Sequence, residues 1–108
     1  MKKNIEKMEG LMYGYNCHFI ITVGKKRYFQ SFGSLIAVEN EGKVTLNRER
    51  WNYSKTTAAY RNRFLGVSNK ECNKKVASGE YRLRKMDSNI LRKLNPDYFD
   101  TDEYRYFH

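Results

Sequence analysis

Histidine and cysteine are both scarce in this chain: His18, His108, Cys17 and Cys72 are the full complement. Neither cysteine has a CxxC neighbour, and four ligands scattered this widely lack the spacing of a structural zinc site. A reduced pair is expected rather than a single Cys17–Cys72 bridge, with Cys17 acting as a small buried hydrophobe. Cys17 and His18 are adjacent, and on a strand their side chains project to opposite faces, which excludes a local nucleophile–base dyad. Glycine-rich phosphate loops, GxSxG and HExxH are missing. The 12 acids show no spacing that singles out a catalytic pair, and Glu39, Glu41 and Glu49 read as solvated positions around a hairpin. A non-enzymatic protein without cofactor or metal is therefore expected, with a small metal-dependent nuclease as a distant alternative.

Long apolar runs are lacking too. The longest, Phe19 to Val23, includes Thr22 and falls far short of the roughly 20 residues of a membrane-spanning helix. The opening "MKKNIEKMEG" has no apolar signal-peptide core, and no basic amphipathic helix stands out. These absences predict a cytoplasmic protein with no membrane partner. Internal repeats, low-complexity tracts and linkers are also missing, so residues 1–108 are expected to form one domain.

Positive charge and aromatic rings are abundant. The net charge is +9, and aromatics make up 15% of the chain, with nine Tyr and six Phe. A core built on a few large rings follows. Charge is unevenly placed: residues 97–108 hold Asp97, Asp100, Asp102 and Glu103 against Arg105, leaving a net +12 over residues 1–96. Such a balance favours an anionic partner: nucleic acid, a nucleoprotein or an acidic protein face. A lysine-rich solvated surface would have the same composition.

Periodicity predicts an α+β domain: a small antiparallel β-meander of about four to five strands packed against two or three short helices. Residues 1–10 are expected to be a frayed N-terminus or a short helical turn. "YNCHFIITVGKKRYFQSF" alternates as two strands broken at "GKK", and "SLIAVENEGKVTL" repeats the theme, with Gly42 supplying the positive φ of a hairpin turn. Ser54 caps a helix that ends at Gly66, and "SNKE" opens a second ending near Gly79. "EYRLR" alternates like a strand. "DSNILRKLNP" is a short third helix, capped by Asp87 or Ser88 and stopped by Pro96, the chain's one proline. The acidic, aromatic tail 97–108 has no clear period; a packed or partly disordered terminus is expected first, with a tail that covers the basic face, or docks on another protein or on the sheet, as the alternatives.

The densest candidate for binding is "WNYSKTTAAYRNRFLG", Trp51 to Gly66, with the residues just before it. Arg48, Arg50, Lys55, Arg61 and Arg63 are candidate phosphate contacts, and the helix start at Ser54 offers unpaired N–H groups to an anion. Trp51 and Tyr53 are candidates to stack on bases, although Trp51, Tyr60 and Phe64 also have the size and spacing of core residues. A second basic cluster comprises Lys70, Lys74 and Lys75, the first two one helical turn apart, continued by Arg82, Arg84 and Lys85.

The "WNYSKTT" and "YRNRFLG" pieces, the preceding "SFGSLIAV" and the following "SGEY" together resemble a family of small proteins of unknown function from phages and bacterial mobile elements. The resemblance covers about half the chain, residues 29 to 83. Phe32–Gly33 departs from the family pattern, and Asn52 stands where an Asp is usual. No activity comes with the resemblance. It implies a setting, the cytoplasm of a phage's host, in which the expected function is to bind nucleic acid or a host nucleoprotein complex and inhibit a defence system such as a CRISPR effector. A protein-only interaction module using the tail or a sheet edge is the alternative.

Overall fold

Three two-residue turns fold the first half of the chain back and forth. The computed structural model describes residues 2–8 and 17–96. Strands β2 (His18–Val23), β3 (Lys26–Ser31), β4 (Ser34–Asn40) and β5 (Lys43–Asn47) pair in succession, all antiparallel. At Glu41–Gly42 both turn residues have positive φ, 52° and 85°, the backbone whose twist matches the flanking strands. The turns at Gly24–Lys25 and Phe32–Gly33 have positive φ at their first residue alone, 61° and 54°. A bulky side chain rarely adopts that region. Phe32 is held there by its N–H donating to the Cys17 carbonyl (2.8 Å) and its own carbonyl accepting from Gln30 Nε2 (2.7 Å).

Two further strands complete a six-stranded sheet in the order β1-β2-β3-β4-β5-β6. Residues 3–7, expected to be frayed or helical, form strand β1 (Lys3–Lys7) along β2. All five of its side chains are exposed, so pairing of the backbone secures it and no hydrophobic alternation announces it. The second half of the chain then leaves the sheet through α1 (Lys55–Leu65) and α2 (Asn69–Ser78) and returns as β6 (Arg82–Arg84), parallel to β5. Both helix boundaries fall where the capping residues put them. The Ser54 and Ser68 hydroxyls accept from the N–H groups of Thr57 and Glu71, and Gly66 and Gly79 close the helices in the left-handed region. A 3-10 turn (Ser88–Ile90), capped by Asp87, runs into the short helix α3 (Leu91–Leu94).

Each face of the sheet has its own core. Helices α1 and α2 lay Tyr60, Phe64 and Cys72 on Phe29, Ala37, Val44 and Leu46, with Trp51 half-buried beside them. The bulge opposite Phe29–Gln30 lets Ile36 join that cluster. On the opposite face α3 sets Leu91 and Leu94 against Ile21, Tyr28 and Leu35. Asn95 fastens it by donating to Gln30 Oε1 (3.2 Å), and Ser88 Oγ accepts from the N–H of Leu35. Cys17 and Cys72 are both buried, and no disulfide joins them. His18 is buried as well, stacked on Tyr60 with ring centroids 3.9 Å apart. The acidic tail 97–108, for which a packed or partly disordered terminus, a cover over the basic face and docking on a protein or on the sheet were weighed, lies outside the described residues.

Candidate nucleic-acid interface

Side chains alternate across a strand, so the pairing register decides which charges share a face. The registers Val23↔Lys26, Lys26↔Asn40, Asn40↔Lys43 and Thr45↔Arg82 put Lys26, Asn40, Lys43, Thr45 and Arg82 on the face away from α1 and α2. Lys3 and Lys7 of β1 and Arg84 of β6 belong to the same face. Among the basic residues of the described strands, Arg27 alone points to the helix face. There it is neutralised by Glu39 and lies over the Phe64 ring, 4.5 Å from its centroid. The acids within the described strands, Glu6 and Glu39, also fall on the helix face. Basic and acidic side chains of the sheet are thus sorted to opposite sides.

Helix α3 covers part of this face, and a groove of about 610 Å³ is lined by residues of β3, β4, β5, β6 and the segments flanking β6. Lys26, Lys43 and Arg82 supply its charge, Asn40 and Thr45 its hydrogen-bonding groups, and Val38 and Met86 its apolar floor. Glu80 is the acid on its rim, and the Lys75 ammonium holds it at 2.7 Å. That contact raises the Lys75 pKa above its ordinary value, through the hydrogen bond to Glu80. A second trough, lined by Val23, Lys26, Tyr28 and Asn40, adjoins the first, and Lys26 Nζ lies 5.4 Å from the Tyr28 ring centroid.

The nine basic residues singled out from sequence divide into separate groups. Arg82 and Arg84 lie on the basic face, and Arg48 follows the end of β5, its backbone N–H donating to the Arg84 carbonyl (2.9 Å). Arg50 and Lys55 flank the start of α1, where Arg50 lies over the half-exposed Tyr53 ring, 5.4 Å from its centroid. Arg63, Lys70 and Lys74 are exposed on the two helices, away from the groove. Lys26 and Lys43, central to the face, were missed by the sequence reading. The hairpin turns held the signal for them, since two-residue loops fix the register that puts both on one side.

Arg61 corrects the expectation of a phosphate contact, because it is fully buried. It sits on α1 next to Tyr60, on the flank that faces the β5–α1 loop and α2, and its guanidinium lies 5.1 Å from the Trp51 ring centroid. Nη1 donates to the Trp51 carbonyl (2.7 Å) and Asn52 Oδ1 (3.2 Å). Nη2 donates to Asn62 Oδ1 (2.7 Å) and Asn69 Oδ1 (2.8 Å), and Nε to Asn62 Oδ1 (3.2 Å). Burial lowers its pKa, and the nearby Cys72 and Tyr81 oppose that shift. Arg61 thus ties the loop and both helices together.

A six-stranded sheet with α1 and α2 on one face, and α3 beside a predominantly basic area on the other, defines a small α+β protein. Over residues 3–80 the chain matches the DUF8033 family of unknown function, and it belongs to that family. The match takes in β1 to α2, with Lys26, Lys43 and Arg61, and stops short of Arg82 and Arg84. No curated protein and no solved structure matches the chain.

Proposed function

We propose that this protein binds nucleic acid, alone or within a nucleoprotein, through the basic face of its sheet and without catalysing a reaction. The observation that carries the reading is the sorting of charge across the sheet, which gathers Lys26, Lys43 and Arg82 around one groove, with Arg84 on the same face. Asn40 and Thr45 add neutral hydrogen-bonding groups, and Val38 and Met86 add apolar surface, a mixture that suits a phosphate backbone with its bases. A shallow groove across open strands admits an extended strand more readily than it encloses a small substrate. The resemblance to phage and mobile-element proteins extends the reading to a biological role, in which the protein occupies a guide or target contact surface of a host defence complex such as a CRISPR effector.

Fluorescence anisotropy with labelled single- and double-stranded oligonucleotides, between 50 and 200 mM salt, tests the binding. Affinity is expected to fall steeply across that range as counterions are released. The pair Lys43→Ala and Arg82→Ala is expected to weaken binding at least tenfold and to reduce the salt slope by roughly one unit for each phosphate no longer neutralised. Absence of binding at 50 mM salt by the folded protein would rule out direct nucleic-acid recognition. The result would then favour protein-only interaction, for which β1 offers an exposed sheet edge carrying the 40% exposed Ile5.

A further inference from the structure

Arg61 raises a separate question, independent of the sheet face. It is a fully buried cation whose hydrogen-bond acceptors among the described residues are all neutral: one backbone carbonyl and three asparagine amides. Among the described residues no carboxylate forms an ion pair with it. A guanidinium carries donors only, so each asparagine must turn its oxygen inward to meet it. The amide nitrogens of Asn52 and Asn69 are thereby directed away from Arg61. Asn52, Asn62 and Asn69 all line a groove of about 500 Å³, together with Tyr53, Ser54, Lys55 and the small side chains of Ala58 and Ala59. No Asp or Glu is among the described residues lining it.

We propose that this groove is a binding site for a phosphate-type oxyanion, held by the outward amides of Asn52 and Asn69 and by the Lys55 ammonium. Three properties make the case. First, Arg61 consumes the amide oxygens, so the carboxamides present hydrogen-bond donors to the groove. Second, the guanidinium polarises those amides, since a hydrogen bond to an ionised group strengthens its neighbours in the network. Third, a buried charge without a counter-charge is costly, and an anion in the groove would supply that counter-charge across a single layer of amides. The donors come from three places: the β5–α1 loop (Asn52), α1 (Lys55) and α2 (Asn69). The ligand is a free phosphate group or one phosphate of a nucleic-acid backbone, and both have the same chemistry.

The decisive variant is Asn52→Asp. Asn52 Oδ1 lies 3.2 Å from Arg61 Nη1, so an aspartate there installs the missing counter-charge internally. Thermal unfolding would be followed with sodium phosphate and with sodium chloride at matched ionic strength. The wild type is expected to gain roughly 5 °C at a phosphate concentration ten times its dissociation constant, in a saturating curve that chloride does not reproduce. Asn52→Asp is expected to melt higher without phosphate and to lose the saturating response. Lys93→Ala, on α3 and lining neither groove, is expected to keep it. Nitrogen-15 spectra of the wild type give a second readout that no variant's folding can obscure, through the side-chain amide signals of Asn52 and Asn69. Shifts with inorganic phosphate alone would assign a free anion, and shifts with a short oligonucleotide as well would assign a backbone phosphate. Unmoved amide signals under both ligands, or a phosphate response that survives Asn52→Asp, would overturn the proposal.

Discussion

His18 shows how a single side chain becomes a determinant of stability through its surroundings. Neither ring nitrogen has a hydrogen-bond partner among the described residues, and the ring packs among Phe29, Phe32 and Tyr60. Burial lowers its pKa to about 4 from an ordinary value of 6.5. The folded state therefore resists a proton that the unfolded chain accepts. Stability from this group is fully present above pH 6.5 and falls as pH drops towards 4, by about 1.4 kcal/mol per unit and about 3 kcal/mol in all. Urea unfolding at pH 7, 5.5 and 4.5 is expected to show this slope in the wild type. His18→Phe, which keeps a stacked ring, is expected to lose it. An equal pH slope in both proteins would show that His18 does not carry the effect.

Elements in this fold depend on different kinds of force, and their legibility in the sequence follows from that. Helices α1 and α2 were readable end to end because their boundaries are local chemistry: a serine hydroxyl at one end and a left-handed glycine at the other. Ser54→Ala is expected to cost about 1 kcal/mol, since the N–H of Thr57 loses its acceptor at 3.1 Å. A shift of the urea midpoint without a change in slope would measure it. Strand β1 is the contrary case. Its side chains are exposed, so Lys3–Lys7 carries no alternating pattern, and its strand state is decided by the edge of β2. Arg61 was misread for a similar reason. Helical periodicity put Thr57, Tyr60 and Phe64 on the buried face, but the β5–α1 loop and α2 close over the adjacent flank and take Arg61 with it.

Across the whole molecule, net charge and charge placement make different predictions. If the +9 balance alone drove association with an anion, any two cations would be interchangeable. The sorted sheet predicts otherwise. Lys43→Ala with Arg82→Ala removes two charges from the groove, whereas Arg50→Ala with Arg63→Ala removes two from the helix side. Anisotropy titrations at one salt concentration are expected to show the larger loss for the first pair. Equal losses would reduce the basic face to a general electrostatic attraction.

The sequence by itself determined the α+β class, the hairpin turns, the helix limits and the excess of positive charge. Those properties arise from backbone torsion, capping and composition, all of which act within a few residues. Tertiary structure alone decided three other things: the strand state of residues 3–7, the burial of Arg61 among three asparagines, and the gathering of Lys26 and Lys43 with Arg82. Lys43 and Arg82 are separated in the chain by two helices, and they share a face because β6 pairs parallel to β5 in the register Thr45↔Arg82. That register is a long-range choice, made by packing Leu83 beside Leu46 on the helix face.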